Sequence, residues 1–153
     1  NYLSERFLQC YADLAPKKKF QILNKVINDI NNHYPEDGIA KRLDMKSRLR
    51  EEFTENQAFK VNEIGDKLFG NHQGKKQEFD EKIERYDMQY DTFTVAKENT
   101  VKKLEYQMLE TDTGIEIKIP MEEYKDPDKV EFITNPDGTI SVLIKNIGHL
   151  STR

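Results

Sequence analysis

The sequence predicts an α+β protein, with N-terminal helices packed on a C-terminal four-stranded antiparallel meander. Three observations predict it. Apolar residues recur every three or four positions through the first half of the chain. From Val101 the apolar period changes to two. Two turn phrases, "TDTG" (111–114) and "NPDG" (135–138), each lie between alternating apolar runs. On this reading residues 1–70 form a helical part, 71–100 a helix and connection, and 101–153 the meander, all within one α+β body.

The helical signals begin with Leu3, Phe7, Tyr11 and Leu14, one stripe at spacings of four, four and three. Pro16 suits a first helical turn. Phe20, Leu23, Ile27, Ile30 and Tyr34 follow at 3-4-3-4 spacing and predict the most regular helix, ended by Pro35 and Gly38. A third helix is expected from about Ile39 to Glu55. "VNEIGDKLFGN" offers Asn62 as N-cap and Gly70 as stop. Residues 71–75 read as a loop, and Phe79, Ile83 and Tyr86 predict one more helix. The segment 87–100 predicts no definite element.

In the second half Leu104, Tyr106 and Met108 alternate with Lys103, Glu105 and Gln107. Ile115, Ile117 and Ile119 do the same with Glu116 and Lys118, until Pro120 stops the strand. "MEEYKDPD" reads as a polar connection. Val130 and Phe132 lead into the second turn, and Ile140, Val142 and Ile144 lead out of it. Two hairpins of this kind give a sheet with one apolar face, which needs helices as its cover.

The totals limit function. At 153 residues, 36% apolar and 34% charged, the chain suits one domain, or two small ones sharing a core. Eight Phe and seven Tyr argue against wholesale disorder. No apolar run approaches the roughly 20 residues of a membrane-spanning helix, and nothing resembles a secretory leader. Cys10 is the only cysteine and reads as a buried structural thiol, in keeping with a reducing cytoplasm. The start at Asn1, in helix-like sequence, suggests a fragment of a longer polypeptide.

No catalytic or metal-binding pattern is present. His33, His72 and His149 lie far apart with no second ligand type at metal spacing, and read as surface or capping residues. "GNHQGK" lacks the frame of a phosphate loop, and there is no nucleophile elbow. The carboxylates of "MEEYKDPDK" alternate with lysines, as in a solvated connection. No enzymatic activity and no cofactor are expected.

Charge is the remaining signal. The formal net charge is −4, divided as +2 over residues 1–60 and −6 over 61–153. "KRLDMKSRLR" (41–50) carries five cations and one anion. On a helical projection Leu43, Leu49 and Phe53 share an arc of about 120°. Asp44, Arg48 and Glu52 fall opposite, where they could pair in water. Arg42, Lys46 and Arg50, at i, i+4, i+8, fall inside the apolar arc. Either that helix packs at the margin of the core with the cationic heads reaching water, or the row faces an anion. Lys17, Lys18 and Lys19 begin a helix, where they oppose its dipole and call for a compensating anion. These six cations are the candidate DNA-phosphate contacts.

The order of features resembles a known family. "FLQCYADLAPKKKFQILNKVINDIN" leads to "NEIGDKLF", then "TGIEIKIP", then the closing "VEFITNPDGTISVLIKNIGHL". This is similar to the C-terminal half of the bacterial 37-kilodalton nucleoid-associated protein family. The resemblance implies a non-enzymatic, cytoplasmic, nucleoid-located bacterial protein with weak, non-specific DNA association. The alternative is a protein-interaction or oligomerisation module without direct DNA contact. A protein partner or self-association is expected on either reading, and no membrane.

Overall fold

The computed structural model describes residues 14–96 and 102–153. The chain divides into two compact units, residues 1–100 and 101–153. The stripe through Leu3, Phe7 and Tyr11, and Cys10 with it, lies outside the described residues.

In the first unit α1 (Pro16–His33) starts with proline in its first turn and ends at Tyr34. A 3-10 turn, Pro35–Asp37, reverses the chain into α2 (Gly38–Asn56). A short β1 (Phe59–Lys60) leads to α3 (Val61–Phe69), α4 (Gln73–Arg85) and β2 (Thr92–Phe93). The stripe of α1 is buried as its spacing requires, with Leu23 and Ile30 fully enclosed. Tyr34, the last residue of that stripe, is only half-buried, because it lies past the helix end.

Phe59 is the centre of this unit. It pairs with Phe93 across the antiparallel β1–β2 ladder. Its ring lies 5.2 Å from Phe20 of α1, 4.9 Å from Phe53 of α2 and 5.5 Å from Phe93. The first two pairs are stacked, and Phe59 is fully buried. A second contact, Phe69 with Phe79 at 5.6 Å, fixes α3 on α4. There the helices approach so closely that a Cβ on Gly65 would stand 2.6 Å from the Phe79 ring.

The sequence places a loop at 71–75, but α4 already begins at Gln73. His72 supplies the start signal, since its Nδ1 accepts from Lys75 N at 3.1 Å and satisfies one of the free amides of the first turn. Asn62 does not cap α3; Lys60 holds that position, and Asn62 is the second residue of the helix.

The second unit contains two hairpins. Residues 102–105 are helical, so Leu104 is buried on a helix and not in a strand. β3 (Tyr106–Glu110) pairs antiparallel with β4 (Glu116–Pro120). A helical turn, α5 (Met121–Tyr124), follows, and β5 (Val130–Thr134) then pairs antiparallel with β6 (Ile140–Ile144). Gly114 and Gly138 take φ of 88° and 87°, the left-handed values that close the two turns.

The four strands do not form the expected meander. Among the described residues they and the β1–β2 pair make three separate two-stranded sheets, and β4 does not pair with β5. Pro120 ends β4, and "MEEY" coils into a helical turn with Met121 fully buried. That carries the chain away from β4 before β5 begins. Period-two alternation specifies a strand and its faces, but not its neighbour. The expected apolar face is correspondingly uneven: Ile119 is buried, while Ile115, Ile140 and Ile144 are more than half exposed.

The crossing at Gly65 gives a direct test. Gly65→Ala gains up to about 1 kcal/mol of helix propensity, but forcing a methyl against a buried ring costs about 1–3 kcal/mol. Overpacking wins, so the variant has a lower urea midpoint than the parent. An equal or higher midpoint contradicts the close α3–α4 approach.

Candidate nucleic-acid interface

All six candidate cations lie in the first unit. Two contacts give α1 and α2 opposite directions. At one end Arg42 reaches Asn31 and Asn32, and at the other Phe20 and Phe53 meet on Phe59. Lys17 to Lys19 therefore lie at the same end as Arg50, and Arg42 lies at the far end.

Lys17 and Lys18 are exposed in the first turn of α1, which holds no acidic residue and no side-chain cap. Lys19 has a structural partner: its Nζ pairs with Asp91 at 2.8 Å. Asp91 is thus the compensating anion that a lysine-led helix start calls for, and it joins α1 to the segment before β2.

The helical row divides as well. Arg42 donates to Asn31 O and Asn32 Oδ1, both at 3.3 Å, so its guanidinium sits at the carbonyl end of α1, where the helix dipole favours a cation. Lys46 is half-buried, and burial pulls its pKa below the ordinary lysine value. Arg50 is half-buried one turn before Phe53. The buried side of α2 is wider than Leu43, Leu49 and Phe53 alone, since Met45, Ser47 and Glu52 belong to it too. Of the row, Lys46 and Arg50 are half-buried on that side, while Arg42 is exposed.

Glu52 corrects the expectation of a solvated face. It is 1% exposed, accepts from Asn56 Nδ2 at 2.9 Å and is paired with Lys67 of α3. Arg48 donates to Lys67 O at 3.0 Å, at the C-terminal turn of α3. These two contacts tie α2 to α3, and helical spacing gives no sign of them because both partners lie on another element.

A second polar cluster closes the other end of the unit. Lys75, 3% exposed, is paired with Asp37. Its Nζ lies 4.9 Å from the centroid of the Tyr34 ring, whose neighbour at 5.1 Å is His72, edge-on. His33 Nδ1 meets Glu78 at 2.8 Å, again linking the end of α1 to α4. His149 is exposed. Among the described residues no group of His, Cys, Asp and Glu is placed to hold a metal.

An open groove beside α4, lined by Lys76, Asp80, Glu81 and Glu84 among others, is acidic in balance. Lys76 is engaged there by Asp80 at 2.6 Å, so the groove repels phosphate. No described helix is long and apolar enough to cross a membrane.

The class is that of nucleoid-associated proteins: the model of the family NA37, nucleoid-associated protein YejK, matches residues 1–150. The chain belongs to that family. No curated protein and no solved structure gives a significant match.

The Lys75–Asp37 contact makes stability depend on pH. The hydrogen bond from Lys75, with the charges of Lys75 and Lys41, holds the Asp37 carboxyl below its ordinary pKa against the opposing effect of burial. The folded value is the lower one, so the contribution is fully present above about pH 4 and is lost as pH falls through the depressed value. Asp37→Asn is expected to lower the urea midpoint at neutral pH, because Lys75 stays buried without its anion. It is also expected to flatten the further fall between pH 4 and pH 2. Equal acid sensitivity in parent and variant would remove Asp37 from this role.

Proposed function

We propose that the chain is a non-enzymatic bacterial nucleoid-associated protein that touches duplex DNA weakly and without sequence preference, in the cytoplasmic nucleoid. The family match over residues 1–150 carries this reading. Contact is made by phosphate neutralisation, chiefly by the exposed Lys17 and Lys18. Lys19, Arg42, Lys46 and Arg50 contribute less. Lys19 and Arg42 hold intramolecular partners, and Lys46 and Arg50 are half-buried. The weakness follows from charge, since residues 61–153 carry −6. Few cations are left to neutralise phosphates, and these supply most non-specific affinity. The exposed apolar residues of β6 favour self-association as a second property, with or without DNA.

Titration of the chain against a duplex of random sequence, at low and moderate salt, tests the reading. Each phosphate contact steepens the dependence of log K on log salt by roughly 0.9. Lys17→Gln with Lys18→Gln is expected to flatten that slope by close to 2 and to weaken binding without lowering stability. Arg42→Gln is expected to lower the melting temperature more than it alters the slope. Binding by the parent with a slope unchanged in the lysine double variant would refute this assignment, and no binding by the parent would refute direct contact altogether.

A further inference from the structure

Among the described residues β6 is an edge strand without a partner strand on its outer side. Its sequence, ISVLI, holds no charge and no proline, the two devices that commonly keep strand edges from pairing. The hydrogen bonds of the hairpin fix which backbone groups face outward. Asn135 N donates to Thr139 O and Lys145 N to Lys129 O, each at 2.8 Å, so residues 139, 141, 143 and 145 turn their backbone groups toward β5. The N–H and C=O of Ile140, Val142 and Ile144 therefore point away from it. Among the described residues β6 pairs with β5 alone.

The other edge of the hairpin is treated differently. Val130 N–H on β5 donates to Asp126 O at 3.3 Å, and the Tyr124 ring packs on Phe132 with centroids 6.0 Å apart. Lys145, the cation nearest β6, does not guard it. Its Nζ is held by Glu131 at 2.6 Å and Pro127 O at 3.2 Å. Three apolar side chains of the bare strand are open to water: Ile140 is 52% exposed, Ile144 54% and Leu143 45%.

We propose that β6 pairs with β6 of a second copy of this chain, antiparallel and two-fold about Val142, so that two hairpins become one four-stranded sheet. The strand itself selects this occupant. In that register Ile140 lies opposite the partner's Ile144, and Val142 opposite its own counterpart, so every outward-facing residue meets a β-branched one. Three outward-facing residues on each strand supply about six backbone hydrogen bonds. The contact is isologous, and it closes at two copies, because the outer edge of β5 is the one partly covered. Five residues a side cover less than the roughly 1,200–2,000 Å² of stable complexes, so the dimer is reversible and forms with concentration. The proposal does not depend on DNA contact.

Sedimentation of the whole chain over a range of concentrations, joined to a charge exchange, tests it. The parent is expected to rise from the 18.0 kDa of one chain toward twice that mass. In the double variants I140K/I144K and I140E/I144E, like charges oppose each other across the axis twice, and each is expected to dissociate at least tenfold more readily. An equimolar mixture of the two places opposite charges together and is expected to recover the dimer. Amide exchange of the parent provides a readout independent of any variant: the amides of Ile140, Val142 and Ile144 gain protection as concentration rises. A parent that stays monomeric, double variants that dimerise like the parent, or a mixture without recovery each overturns the proposal. So does exchange at these three amides that ignores concentration.

Discussion

Everything in the helical unit is referred to the ring of Phe59. Three elements far apart in sequence place a phenylalanine against it: α1 with Phe20, α2 with Phe53 and β2 with Phe93. Each such pair is worth about 0.5–1.5 kcal/mol beyond the area it buries. The β1–β2 ladder, with two residue pairs, is too short to hold these elements by backbone hydrogen bonds alone. Side-chain packing therefore brings the start of α1 to the end of α2. That places Lys17 and Lys18 at the end of the pair where Arg50 also lies.

Around this apolar centre, charges close the helix ends. Lys19 on Asp91, Arg42 on the end of α1, Lys67 on Glu52 and Lys75 on Asp37 each join two elements. A buried ammonium or carboxylate without a counter-charge is costly, so these pairs restrict how the helices can pack. The same pairs explain why an acidic chain carries a basic stretch at 41–50. Part of it serves the fold, as Lys41 on Asp37, Arg42 on the end of α1 and Arg48 on α3 do.

The sequence made α1 and α2 legible because their apolar residues keep helical spacing, and it made both hairpins legible because glycine closes each turn. The pairing of strands was not legible. Ile117 and Val142 show that each lies in a strand, but nothing local tells β4 that β5 will turn away at Met121. Glu52 was misread for a related reason. Its partner Lys67 lies 15 residues on, in another helix, and helical projection sees only one element at a time. His72 was legible as a capping residue but not as the start of α4. Of the candidate interface, the sequence located the cations. It could not separate Lys17 and Lys18, which are exposed, from Lys19 and Arg42, which already have partners, because that distinction depends on tertiary contacts.

The aromatic centre holds the unit together and so fixes where the cations stand. Urea unfolding of Phe59→Ala, followed by far- and near-ultraviolet circular dichroism, tests it most directly. Truncating a buried phenylalanine costs about 3–5 kcal/mol, and the account predicts a loss in that range with loss of the near-ultraviolet signal. A variant that unfolds within 1 kcal/mol of the parent, with that signal intact, would contradict it.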